Sequence, residues 1–194
     1  MKVKNINFNL KDKGPLSRQV RTLGIYDFSD LFDYVACLPY GRNTNRSDLS
    51  LVLKEKKGTC SSKHAFLKAV AEEQGATAWK LVIGIYKMHP GNTPGIGNGL
   101  VQNGLEYIPE AHCYLKYGDQ RFDLTRIDSD FSRIAEDVLV EEEIQASQVD
   151  TYKVSMHQQF IKNWVQESKL PQSFEEIWTI RESCIQSLSE NEKS

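Results

Sequence analysis

Basic charge is not in excess: 24 Lys and Arg stand against 26 Asp and Glu, a formal net charge of −2. Such a balance leaves no electrostatic footprint for a nucleic acid. Long apolar runs are missing too, and none approaches the ~18 residues of a membrane span. The opening MKVKNINFNLKDKG lacks the apolar h-region of a secretory signal. The expected compartment is therefore the cytoplasm, with neither nucleic acid nor membrane as a partner. Cysteine is sparse. The four cysteines, at positions 37, 60, 113 and 184, are unevenly spaced and form no C-x-x-C pair. In a reducing compartment they are expected as thiols, with no redox or zinc motif among them. Internal repeats at periods of about 20 to 50 residues are also lacking, which excludes the repeat architectures.

What is present suits a globular fold. The chain has 194 residues, 40% of them hydrophobic and 26% charged. A chain of this length buries about 70% of its unfolded surface and needs no disulfide or metal to hold a core. The spacing predicts short helices over 28–38 and 48–55, separated by a turn-rich PYGRNTN loop. CSSKHAFLKAVAEEQG predicts a helix from Cys60 to Gln74, capped by Thr59 or Ser61 and stopped by Gly75. Its nearly continuous apolar surface fits a central helix packed on several sides. AWKLVIGIYKM (78–88) reads as a strand. HPGNTPGIGNGLVQNG (89–104) reads as a long loop, either mobile beside a substrate cleft or disordered. HCYLKY (112–117) and RFDLT (121–125) read as two strands around a Gly118-Asp119 turn. Further on, a helix covers 160–165, and Ser173-Phe-Glu-Glu176 is a capping box opening another that runs to about Leu188. The expected organisation is one domain over 1–194, with a core at about 28–126 and a helical extension at about 134–190.

The chemistry is carried by three of these elements. A thiol becomes a nucleophile when it ionises, and the N-terminal turn of a helix favours the thiolate. Cys60 occupies that turn, directly after Gly58-Thr59. A cysteine nucleophile needs a histidine that a third group orients. A three-residue turn without a bulge after Tyr117 would put His112 and Asp123 on opposite sheet faces, whereas a two-residue turn at Gly118-Asp119 pairs Tyr117 with Gln120. Continued, that register puts His112 and Asp123 on one sheet face as diagonal neighbours, roughly 7–8 Å apart at Cα. Cys113 then points to the other face.

With these residues in place, the chain resembles the transglutaminase-like superfamily. GTCSSKHAFLKAVAEE is similar to the family's nucleophile segment, a cysteine opening a central helix. EAHCYLKYGDQRFDLT is similar to its histidine strand followed by an aspartate strand. LPYGRN upstream also resembles small bacterial members, and the likeness spans about residues 36–126. It implies an α+β, papain-like fold in which the cysteine helix packs on an antiparallel sheet. It also implies a catalytic triad of Cys60, His112 and Asp123, and thiol-dependent acyl transfer or hydrolysis at peptide or isopeptide amides through a Cys60 thioester. The implied partner is a peptide or small amide substrate, and no cofactor or metal is expected. The family supplies an oxyanion-hole side chain upstream of its cysteine, for which Tyr40, Asn43 and Asn45 are candidates by position.

Plainer readings stand beside these. A cysteine in an apolar helix is commonly a packed core residue. His64, one turn after Cys60, is a candidate for contact with the thiol or substrate, or a core histidine. His89 and His157 read as ordinary loop and surface residues. Cys60, His64, His112 and Cys113 match no structural zinc spacing. Gly95–Gly99 does not sit in a βαβ unit that would cradle phosphate. The acidic run 141–143 reads as a solvated face, and Trp164 and Trp178 as packing for the C-terminal helices. The alternative function is a binding or scaffold protein of the same fold without turnover.

Overall fold

A computed structural model describes residues 6–191 of the chain. Among these residues it is an α+β fold of seven α-helices and a four-stranded antiparallel sheet. The helices are α1 (Pro15–Thr22), α2 (Phe28–Cys37), α3 (Leu51–Lys54), α4 (Cys60–Gln74), α5 (Gly99–Gln102), α6 (Thr151–Glu167) and α7 (Phe174–Asn191). The strands are β1 (Trp79–Met88), β2 (Ile108–Tyr117), β3 (Gln120–Phe122) and β4 (Val138–Ile144), in the order β3-β2-β1-β4. The chain divides into two compact units. Unit 1 comprises Met1–Val82, Cys113–Asp130 and Glu143–Asp150; unit 2 comprises Ile83–His112, Phe131–Glu142 and Thr151–Ser194.

Unit 1 is organised by α4. Ten of its residues are buried, from Cys60 through Ala71, and they include Lys63, His64 and Lys68. Burial on every side is what its continuous apolar surface dictates. Its start is a capping box: Thr59 accepts from the Ser62 amide, and the Ser62 hydroxyl accepts from the Thr59 amide. Its end is set by Gly75 in the left-handed region at φ 80°, which a residue with a Cβ resists. Two carboxylate oxygens of Glu73 accept from the Leu16 and Ser17 amides, so α4 also caps α1. The α2 helix starts at Asp27, whose side chain accepts from Asp30 N. From α2, Phe28 and Phe32 pack on Trp79, and Phe32 meets Phe122 edge-on with centroids 5.6 Å apart. Full burial of each such side chain contributes about 1.5–3 kcal/mol.

Unit 2 has its own core. Met88, Ile96, Leu100, Ile108, Ile161, Ile177 and Cys184 are buried together, with Trp164 and Trp178 packed against them. The tryptophans therefore do pack the C-terminal helices. The capping box at Ser173 forms as its sequence predicts, with the Ser173 amide donating to Glu176 Oε2 at 2.7 Å and the Glu176 amide to Ser173 Oγ.

Two expectations are corrected. Residues 138–144 do not belong to a helical extension: they are a strand, and Val138-Leu-Val140 carries the β-branched content that favours one. Its outer glutamates are exposed, which suits a strand at the sheet edge. Residues 89–104 are not a loose loop either. Ile96 and Leu100 are each 1% exposed in the core of unit 2, and α5 forms inside the segment. Residues 1–14, whose polar sequence fits either a strand or a loose arm, are described from Ile6, and Asn9 makes an isolated antiparallel bridge to Asp27. The α7 helix runs to Asn191, and residues 192–194 lie outside the described residues.

Candidate functional site

Cys60 is the first residue of α4 and is 8% exposed. Its approach is tightly built. Gly58 N donates to Pro39 O at 3.1 Å and Gly41 N donates to Gly58 O at 3.2 Å, so the LPYGRN segment runs beside the cysteine turn. Gly58 must be glycine for a steric reason: a Cβ there would lie 2.8 Å from Cγ of Lys63 and 2.9 Å from Oγ of Ser62.

The Lys63 stem fills that space, and the whole residue is at 0% exposure. A buried ammonium must have its protons accepted. Nζ donates to Leu38 O at 2.5 Å, at the end of α2, and to Thr125 O at 2.7 Å.

Asp123 lies one residue past β3. The β2–β3 register is Tyr117–Gln120, Lys116–Arg121 and Leu115–Phe122, the two-residue turn that the Gly118-Asp119 pair predicts. The ladder ends there, three positions before the Thr125 that the sequence placed on the strand. Asp123 is buried to 8% exposure, and its Oδ1 accepts from the Thr125 amide at 2.9 Å and the Thr125 hydroxyl at 2.6 Å. Such an Asx turn fixes the direction of a carboxylate.

His64 is fully buried. The Leu124 amide, which can only donate, lies 2.8 Å from Nε2. Nε2 therefore accepts, the proton sits on Nδ1, and Nδ1 donates to Cys60 O at 2.6 Å. Nε2 is 3.9 Å from Asp123 Oδ1, but its lone pair is already engaged by Leu124. Both ring nitrogens are thus bound to main chain, an arrangement that suits structure better than proton transfer to the thiol.

The remaining candidates are placed as follows. His112 is half-buried in the middle of β2, the last residue of its unit 2 segment, and Tyr86 meets its ring nearly edge-on at 6.2 Å. Asn43 donates from Nδ2 to Glu55 Oε2 at 3.0 Å and Lys57 O at 3.1 Å, which commits its amide to the loop. Asn45 is exposed and accepts from the Ser47 amide. Tyr40 is half-buried, in the bridge to Gly58. Unit 1 thus gathers Cys60, His64 and Asp123 around one helix turn and one Asx turn.

Sequence reasoning missed two sets of residues. One is Lys63 and Thr125. A lysine inside an apolar helix stretch and the D-L-T triplet were the available signals. The other is a buried charge cluster in unit 2. Arg181 donates to Glu110 through Nε at 2.7 Å and Nη2 at 2.6 Å, and its guanidinium stacks 5.2 Å from the Trp178 ring. His157, read from sequence as a surface residue, is 3% exposed and lies against Pro109 O at 2.8 Å, because α6 turns that face inward beside Ile161. Burial would push the Glu110 carboxyl up, but attraction to Arg181 overrides it and holds the group at about 2. Burial pushes the His157 imidazole down.

Among the described residues no group of three or more His, Cys, Asp and Glu is placed to hold a metal ion. No helix among them is long and apolar enough to cross a membrane. Comparison with protein-family models, curated proteins and solved structures finds no match to this chain.

Proposed function

We propose that this chain is a cytoplasmic thiol-dependent enzyme of transglutaminase-like character, cleaving or transferring amide bonds of a peptide or small amide substrate. The observation that carries the reading is the seat of Cys60. It opens a capped 15-residue helix whose next turn holds the segment following Asp123. A helix start lowers the cost of a thiolate, and first-turn amides suit an oxyanion.

In this mechanism Cys60 Sγ attacks the amide carbonyl and forms a tetrahedral oxyanion. Collapse breaks the C–N bond, and the imidazolium of His112 gives its proton to the departing amine. Asp123 orients that imidazole and stabilises its charged form. Water, or an amine in the transfer reaction, attacks the thioester with His112 as base and frees Cys60. The proposed scaffold is a papain-like arrangement of helix and sheet, and no cofactor enters the cycle.

A panel of peptide and isopeptide amides, assayed with wild type and Cys60→Ala, tests this directly. At least one amide should be turned over by wild type, and Cys60→Ala should lose the rate by about 10⁴-fold or more. Turnover that survives Cys60→Ala would overturn the assignment. No turnover of any amide, with an unreactive Cys60 thiol, would favour a binding protein of this fold.

A further inference from the structure

We infer that His64 and Lys63 are positioning residues for Asp123, so that one helix sets both the nucleophile and the orienting carboxylate. The inference rests on the proposed acyl-transfer reading of Cys60 and Asp123. The chain after Asp123 is held at two consecutive residues by two consecutive residues of α4. His64 Nε2 accepts the Leu124 amide at 2.8 Å, and Lys63 Nζ donates to Thr125 O at 2.7 Å. Thr125 in turn holds Asp123 Oδ1 by its amide and its hydroxyl. The same two α4 residues reach back to the cysteine side: His64 Nδ1 donates to Cys60 O, and Lys63 donates to Leu38 O while its stem packs under Gly58.

The chemistry of each residue fits this task. Lys63 is buried, and its ammonium donates to two main-chain carbonyls, Leu38 O and Thr125 O, which ties the path of the chain to α4. Neutral imidazole is the side chain with one donor and one acceptor on opposite sides of a rigid ring. It can join a helix carbonyl to a strand-end amide at fixed separation. A rigid helix carrying two such links would hold Asp123 to the tolerance a triad needs.

The test uses the full chain with His64→Leu, which removes both bonds, and His64→Gln, whose side-chain oxygen can again accept the Leu124 amide. His64→Leu should lower kcat by about 10²-fold at unchanged KM, the cost of a misplaced catalytic group. His64→Gln should recover most of it. In the background of Asp123→Asn, His64→Leu should cost little more, because the two act through one link. A folded His64→Leu with wild-type kcat, or full additivity with Asp123→Asn, would overturn the inference. Should His64→Leu fail to fold, nitrogen NMR of the wild type decides. A hydrogen-free Nε2 on His64 with a slowly exchanging Leu124 amide supports the link, and a protonated Nε2 at neutral pH refutes it. These NMR readouts do not depend on turnover, so they separate failure of the link from failure of the acyl-transfer reading.

Discussion

Glu110 and Arg181 in unit 2 meet as a two-pronged ion pair, with the guanidinium stacked on Trp178. In unit 1 the Lys63 ammonium donates to two main-chain carbonyls, and the Asp123 carboxylate accepts from the amide and hydroxyl of Thr125. An ion pair fixes two side chains to each other and makes its contribution, or its cost when broken, to stability. A charged group bonded to main chain or to a neighbouring turn also fixes where the chain runs and where a nearby functional group points. The Glu110–Arg181 pair thus ties side chain to side chain, whereas the bonds of Lys63 and Asp123 to the chain at Leu38 and Thr125 tie side chain to backbone course.

Substitutions can break this contrast. The largest expected effect is on chemistry. His112→Ala should lose activity by about 10³-fold or more, and Asp123→Asn nearly as much, while thermal unfolding changes little. Steady-state kinetics beside calorimetry would check both. Equal activity of wild type and Asp123→Asn would show that another group orients the imidazole.

Next in size is Glu110→Ala, which removes the buried carboxylate from Arg181, leaving it the half-exposed Glu182, and should cost about 3–5 kcal/mol in urea unfolding. Replacing both Glu110 and Arg181 by Met should cost less than either single change. Its kcat per folded molecule should move far less than that of Asp123→Asn.

Acid should act on the same pair. Glu110 is held at about 2 against an ordinary 4.5. A depressed carboxyl stabilises the fold above its unfolded value, and that stability is lost as pH falls from about 4.5 towards 2, about 3 kcal/mol in all. His157 works in the same sense at higher pH. Its burial lowers the imidazole below its ordinary 6.5, so the unfolded chain takes up that proton first and stability declines as pH falls through about 6.5. Urea midpoints measured from pH 7 to pH 3 would show both steps, and Glu110→Gln should flatten the lower one.

The smallest effect sharpens unit 1. Thr59→Ala removes the cap of α4 and should cost about 1 kcal/mol. Because Cys60 is the next residue, its thiol reactivity should fall as well, which the loss of a remote cap would not produce.

Local rules explain what the sequence made legible. The span of α4 from Cys60 to Gln74 and its Gly75 stop follow from neighbours within one turn, and of the two caps the sequence offered, Thr59 and Ser61, the fold uses Thr59. The Tyr117–Gln120 register follows from a two-residue turn, and the Ser173–Glu176 box from four residues. Strand β4 was hidden because its three glutamates outweigh Val138, Leu139 and Val140 when read by composition, whereas as an edge strand they need only face water. The order in 89–104 was hidden because Ile96 and Leu100 find their core only in the folded unit 2. The site was legible as residue types, not as bonds. Lys63 meets carbonyls 25 and 62 positions away, and Arg181 meets a carboxylate 71 positions away. No periodicity reports such pairings, and a lysine or glutamate reads as solvated until its partner is known.

The rate of iodoacetamide alkylation of Cys60 against pH, beside that of the exposed Cys37 and in His112→Ala, reaches the central claim most directly. Cys60 should react faster than Cys37 despite its burial, with a midpoint below that of an ordinary thiol, and His112→Ala should raise that midpoint. Alkylation of Cys60 slower than that of Cys37 at every pH, and indifferent to His112→Ala, would contradict the account.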